Sequence, residues 1–349
     1  MPKRIRVLVV DDSALMRQMM GSLLARDPAI EIVGTASDAF VARDKIRTLQ
    51  PDVLTLDVEM PKMDGLSFLE RLMHAHPMPV VMVSSVTEAG RASAIRALEL
   101  GAVDFVTKPK ADVRERMADV AAQIVEKIKI AASAQVRRRP RQGSTPTPRP
   151  ITAPPRGTEH VIAVGASTGG TEALLQFLAS LPADAPGVVV VQHMPEHFTS
   201  AFAARLDHLC TVRVKEAADG DRVLTGHVLI APGNRHMRVV REGASYVVRL
   251  SSEAPVNRHR PAVDVLFHSC AEQVKGAAVG VIMTGMGDDG ARGLLAMRQA
   301  GARTLAQDEE TCVVFGMPKA AVELGAAHEV LPLTQLAGAA LASARARAS

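Results

Sequence analysis

The chain has 349 residues, 47% of them hydrophobic, with a net charge of +4, no Trp and a single Tyr. That length suits two domains with aliphatic cores, and the shortage of rings argues against an aromatic platform for nucleic acid. Residues 1–130 hold 18 basic and 18 acidic groups, residues 131–157 hold six Arg and no acid, and residues 158–349 hold 17 basic and 19 acidic groups, so the basicity belongs to a connector and no nucleic-acid partner is expected.

The first 130 residues alternate strand and helix. Residues 5–10 read as a strand stopping at Asp11-Asp12, 13–26 as a helix, 30–36 as a strand and 38–50 as a helix. Residues 53–56 form an apolar strand ending at Asp57, followed by turn signals at Met60-Pro61 and Asp64-Gly65 and a helix over 67–74. A strand over 80–83 ends at Ser84-Ser85, a helix covers 92–100, and a strand over 103–106 precedes Lys108-Pro109 and a last helix over 114–130. Five such units predict a doubly wound parallel sheet. Asp11, Asp12, Asp57, Ser84 and Lys108 all fall just past strand ends, which converge on one crevice in such a sheet. Three carboxylates crowded there suit a divalent cation. A Lys opposite would neutralise an added phosphoryl group, and a Ser hydroxyl could hydrogen-bond it.

Residues 131–157 carry R-R-R-P-R-Q-G-S-T-P-T-P-R-P and A-P-P-R-G. Pro denies this stretch helix and ladder, and it has too little apolar surface to fold, so it reads as a linker.

The second half, 158–349, opens on V-I-A-V-G-A-S-T-G-G (161–170). Residues 161–164 predict a short buried strand broken at Gly165, with Ser167 on the turn into a helix running to about residue 180. G-x-S-x-G at a strand-to-helix turn suits a nucleophile, and a glycine turn equally suits a phosphate or dinucleotide; the motif alone leaves both open. An all-valine strand over 187–191 ends at Gln192-His193-Met194-Pro195, and a helix covers 196–208. Residues 213–217 suggest a short strand. Segments 226–231, 237–241 and 246–250 read as one antiparallel group. A helix over 263–275 and a strand over 278–283 lead to T-G-M-G-D-D-G (284–290), followed by a helix over 291–300, a strand over 303–306 and helices over 318–324 and 333–346.

The expected fold class is therefore α/β, with two doubly wound parallel-sheet domains: a flavodoxin-like one, then a Rossmann-like three-layer one with an antiparallel hairpin region. Three strands of the second sheet end at Ser167, His193 and Asp288-Asp289. A Ser needs a base within hydrogen-bond reach, and the base needs an orienting acceptor, so acyl transfer fits this set. His197 is the nearest rival base, and either Asp can instead cap a helix. The order Ser, His, Asp departs from the Ser, Asp, His order of α/β-hydrolases. No apolar run is long enough to span a bilayer, and Lys3, Arg4 and Arg6 lead straight into the first strand with no signal peptide. Cys210, Cys270 and Cys312 have no metal spacing. A cytoplasmic protein without membrane insertion is expected.

Residues 1 to about 125 resemble response-regulator receiver domains through Asp11-Asp12, L-D-V-E-M-P around Asp57, and T-K-P at Lys108. The resemblance implies Asp57 as phospho-acceptor and Mg²⁺ held by Asp11, Asp12, Asp57 and the Glu59 carbonyl. Ser84, Lys108 and Phe105 would be the switch residues, and Lys108–Pro109 a cis bond. Residues from about 158 to 345 resemble the catalytic domain of the chemotaxis protein-glutamate methylesterases, the CheB family, through G-A-S-T-G-G, Q-H-M-P and T-G-M-G-D-D-G. That resemblance implies Ser167 as nucleophile, His193 as base and Asp289 as orienter, with Thr168 and Met286 lining the site. It further implies esterase action on γ-glutamyl methyl esters of chemoreceptors, deamidation of receptor glutamines, and a histidine kinase as phosphodonor. The receiver is expected to block the Ser167 crevice until it is phosphorylated. A DNA-binding regulator and a nucleotide-binding module are the competing readings.

Overall fold

The computed structural model of the chain describes residues 3–84, 87–108, 117–136 and 156–346. The Pro/Arg-rich stretch over 137–155 and the Lys108–Pro109 bond lie outside these residues. The chain divides into two compact units, Met1–Gln142 and Gly143–Ser349.

The first unit runs β1 (Ile5–Val10), α1 (Ala14–Leu24), β2 (Ile30–Ala36), α2 (Ala39–Leu49), β3 (Val53–Asp57), α3 (Gly65–Ala75), β4 (Val80–Ser84), α4 (Glu88–Glu99), β5 (Asp104–Thr107) and α5 (Met117–Ala132). All neighbours are parallel, in the order β2-β1-β3-β4-β5. β3 and β4, mostly aliphatic, are buried along their whole length, as strands covered by helices on both faces of a sheet require. The polar residue after a strand also starts the next helix. Ser13 accepts from Met16 N–H, Asp38 from Phe40 and Val41, Asp64 from Ser67, and Thr87 from Gly90. The Thr87 cap moves the α4 start to Glu88, four residues before the expected one.

The second unit runs β6 (Val161–Ala166), α6 (Gly170–Ala179), β7 (Gly187–Gln192), α7 (Phe198–Leu209), β8 (Arg213–Glu216), β9 (His227–Ile230), β10 (His236–Glu242), β11 (Ser245–Ser251), α8 (Val263–Gln273), β12 (Ala278–Ile282), α9 (Ala291–Gln299), β13 (Arg303–Gln307), α10 (Met317–Glu323), β14 (Glu329–Leu331) and α11 (Leu333–Arg345). Its seven-stranded parallel sheet has the order β14-β13-β12-β6-β7-β9-β8. Chain order reverses direction at β6, and ligands of open α/β sheets bind beyond the strand ends at such a point.

Three expectations are corrected. Residues 226–231 do not join an antiparallel group: β9 lies in the main sheet, parallel to β7 and β8. Its Val228, Leu229 and Ile230 are all buried, which fits a strand covered on both faces. Among the strands of the described residues, β10 and β11 are the pair that runs antiparallel, beside a few isolated antiparallel bridges. Gly165 does not break β6, which continues through Ala166 opposite Gln192. The glycine is needed for packing, since a Cβ there would lie 2.2 Å from Val263 Cγ1 and 3.2 Å from Phe267 Cζ, where α8 crosses the strand. The edge strand β14 was not anticipated; it is three residues long and incompletely buried.

Cys210, Cys270 and Cys312 are free and buried, and burial pushes each thiol up to about 12.

Gly165→Ala should destabilise the second unit by about 1–3 kcal/mol through overpacking. Adding Val263→Ala should recover part of that loss, because the two side chains collide. Urea unfolding of the single and double variants checks this, and additive losses would mean that the collision is not the cause.

Candidate active site

In the first unit, Asp57 ends β3 with its side chain wholly buried. Lys108 Nζ lies 2.7 Å from Asp57 Oδ2 and 3.7 Å from Asp11 Oδ2. One oxygen from each of Asp11, Asp12 and Asp57 falls within 4.8 Å of the others. Burial, together with the Asp11 charge, pushes Asp57 up to about 6 in spite of Lys108. Burial raises Asp11 as well. Burial opposes the Lys108 charge too, but Asp57 and Asp11 outweigh it and hold the ammonium above its ordinary value. Glu59 N–H donates to Asp57 Oδ1 at 3.2 Å. A cleft of about 560 Å³ opens beside Asp12, Glu59 and Met60. The carboxylates are under-neutralised and oxygen-rich, which fits a hard divalent cation. Ser84 is buried and its hydroxyl donates to the Gly90 carbonyl at 2.8 Å. Phe105 is buried on β5, with Lys127 Nζ 5.3 Å from its ring centroid.

In the second unit, β6 is flanked by β7 and β12. Ala166 pairs with Gln192, so Ser167 and His193 leave adjacent strands at one level, roughly 4.8 Å apart by strand spacing. His193 N–H donates to Ala166 O at 3.1 Å, and Ser167 N–H to Thr284 O at 3.0 Å. Gln192 Nε2 donates to both the Ser167 and His193 carbonyls, at 2.8 and 3.2 Å, and so clamps the two loops together. Gly285 lies against Ser167: a Cβ there would sit 2.7 Å from Ser167 Cβ. Thr168 is buried, its carbonyl accepting from Thr284 Oγ1, while Met286 stands 47% exposed on the loop before α9.

Asp289 is buried, and its carboxylate accepts from His193 Nε2 at 2.8 Å, Val263 N–H at 2.7 Å, Asn257 Nδ2 at 2.7 Å and Asp264 N–H at 3.2 Å. Burial alone would raise Asp289, but His193, Asn257 and Val263 outweigh it and bring the group down to about 2. With Asp289 ionised, Nε2 carries the His193 proton and Nδ1 the lone pair. Nδ1 is buried and has no hydrogen-bond partner among the described residues. Asp288 is exposed, and His197 sits exposed at the head of α7 with left-handed backbone, φ 71°.

The structure adds residues that no sequence pattern singles out. The Asn257 amide bridges Asp289 and Asp264, 2.8 Å from the latter. The His259 ring stacks on His193 with centroids 3.7 Å apart and planes 10° from parallel. Asp264 is buried and raised by that burial, with its Oδ1 accepting from Gly293 N–H at 2.7 Å. Asn is a favoured residue for left-handed backbone, so N-R-H after a strand offered a turn signal, but nothing in it announced contacts with residues 30 to 70 positions away.

The CheB methylesterase family model matches residues 162–340, and the response regulator receiver domain model matches residues 7–118. A Cupriavidus pinatubonensis protein, protein-glutamate methylesterase/protein-glutamine glutaminase 2, is 58% identical over 95% of this chain and 93% of its own length. A Pseudomonas aeruginosa protein of the same name is 57% identical over 99% of this chain and 98% of its own. The crystal structure of the Thermotoga maritima CheB methylesterase catalytic domain is 40% identical, with a TM-score of 0.52, and covers 54% of this chain and 98% of that one.

In the cation-free protein, carbon-13 NMR of the Asp57 carboxyl should show a midpoint at about 6. The unfolded value is roughly 3.9. The folded unit therefore holds the extra proton between these two values, and it loses stability as pH rises through that window. A divalent cation favours the carboxylate and should lower the midpoint. A midpoint near ~4 that the cation does not move would contradict the burial argument.

Proposed function

The chain belongs to the CheB methylesterase family, and from that premise we propose that it is a phosphorylation-controlled serine esterase of chemotaxis. It removes methyl groups from γ-glutamyl esters of chemoreceptors and converts receptor glutamines to glutamate. The proposed domains are a receiver over 1–130, a linker over 131–157 and a catalytic domain over 158–349. In support, the two compact units divide at Gln142, inside that linker.

One observation carries the catalytic reading. His193 is held by Asp289 through Nε2, its Nδ1 has no hydrogen-bond partner among the described residues, and the strand register sets His193 level with Ser167 along the backbone. Nδ1 takes the Ser167 proton as Oγ attacks the ester carbonyl. The imidazolium, stabilised by Asp289, returns that proton to the departing methoxy oxygen, and methanol leaves. Water, deprotonated at Nδ1, then cleaves the glutamyl–Ser167 ester and restores the hydroxyl. An amide follows the same path with ammonia as leaving group. His193 N–H is committed to Ala166 O, so the oxyanion donors are assigned to the Met286 loop, each worth about 10²–10³ in rate. Thr168 and Met286 line the approach.

Asp57 accepts the phosphoryl group from a histidine kinase, and the cleft beside Asp12 and Glu59 gives the donor access. Asp11, Asp12, Asp57 and the Glu59 carbonyl would hold Mg²⁺, which when bound neutralises phosphoryl charge. Lys108 pairs with the new anion, and the Ser84 hydroxyl turns from Gly90 towards it. The Phe105 ring responds to that movement, and the changed surface raises esterase output. Among the described residues no helix is long and apolar enough to cross a membrane.

Ser167→Ala should cut methanol release from methylated receptors by up to about 10⁶, while Asp57 still accepts phosphate. A fluorophosphonate should label Ser167 in the native chain and not in the variant. Undiminished methanol release would end the assignment.

Asp289→Asn should lower turnover by about 10⁴, through loss of the His193 tautomer. Asp288→Asn should change it less than about twofold, since surface groups away from such features contribute little. Equal effects in methanol-release assays would point to the wrong acid.

A further inference from the structure

Residues Val256–His259 form a tight hairpin turn. Val256 N–H donates to His259 O at 3.0 Å and His259 N–H to Val256 O at 2.8 Å. Both central residues have left-handed backbone, Asn257 at φ 51° and Arg258 at φ 67°. A turn of this kind favours Asn followed by Gly. Asn257 fits that preference. Arg258 does not, because its Cβ crowds a carbonyl that Gly would leave clear.

The turn is firmly held at both ends. The buried His236 ring bonds the Ala254 carbonyl through Nε2 at 3.0 Å and accepts Ala262 N–H at 3.3 Å. Arg260 binds the Ser252 and Glu253 carbonyls, each at 2.9 Å. Within the turn, Asn257 bonds Asp289 and His259 stacks on His193. Arg258 therefore sits between two residues that touch the catalytic relay.

Its guanidinium is exposed and makes no hydrogen bond or ion pair among the described residues. Nearby Arg238, Arg249 and Arg260 are each engaged, with Glu253, with Glu242 and Asp219, and with Asn234. A left-handed backbone thus holds an exposed cationic residue between two that touch the relay, with no partner for it among the described residues.

We propose that Arg258 is a substrate-recognition residue that pairs with an acidic side chain next to the glutamyl ester on the protein substrate. This rests on the esterase reading above. The planar guanidinium fork matches a carboxylate in two parallel hydrogen bonds. The reaction itself converts neutral esters and amides into glutamates, so carboxylates are the charge its substrate segment acquires. Arg258 selects segments that already carry such a charge near the scissile group.

The test uses the full chain with two methylated receptor substrates, one native and one with the acidic residues next to the ester replaced by Ala. Gly is at home at this φ, so Arg258→Gly removes the side chain and keeps the turn, and its thermal midpoint should equal or exceed the native one. On the native substrate it should raise KM about tenfold, with kcat changed less than about twofold. Arg258→Lys should recover part of the loss, and Arg258→Glu should exceed it. On the Ala-substituted substrate Arg258→Gly should have no effect. An unchanged KM on the native substrate, or equal losses on both, would overturn the proposal. If the native chain shows no Ser167-dependent methanol release at all, the esterase reading fails and takes this inference with it.

Discussion

A single buried carboxylate fixes the geometry of the second unit. Asp289 receives hydrogen bonds from His193, Asn257, Val263 and Asp264. Val263 and Asp264 are the first residues of α8, whose N-cap, Ala262, has no side chain able to cap it. Asp289 supplies from another element the acceptor that the α8 terminus lacks. The ionised carboxylate meets the positive end of that helix dipole, which adds to its stability there. The imidazole, the head of a helix and a strained turn are thus all tied to one group. Removing it would leave several buried donors unsatisfied, each costing about 1–3 kcal/mol.

The two units use carboxylates at strand ends in opposite ways. Asp289 is buried but surrounded by donors, so it is kept charged at about 2. Asp57 is buried with one Lys and a second acid close by, so it is pushed up to about 6. The first arrangement keeps its charge across the ordinary pH range. The second is short of positive charge, so an added cation would favour its ionised form. Similar topology places both groups, and the count of donors around each separates their behaviour.

Much of this was legible in the residues. Aliphatic runs that must be buried on both faces became parallel strands, and polar residues directly after them reached the crevices because parallel strands share one carboxyl edge. That reasoning brings Ser167, His193 and the pair Asp288-Asp289 to one edge, and only the family resemblance singles out Asp289 from its neighbour. The errors have local causes. Gly165 reads as a stop, yet it serves the close crossing of α8 over β6. Segment 226–231 reads with its sequence neighbours, yet its apolar run Val228–Ile230 belongs in the main sheet. Asn257, His259 and Asp264 were invisible because their value lies in a turn conformation, a ring stack and a shared amide, none of which leaves a periodic mark.

The three native cysteines have a practical consequence. Their thiols are enclosed and held at about 12, so almost no thiolate exists at neutral pH, and thiolate is the form that reacts. The chain is thereby guarded against oxidants and alkylating agents without any disulfide. A cysteine introduced on the surface would be the reactive handle for a spin label or dye, with no need to strip the native ones first.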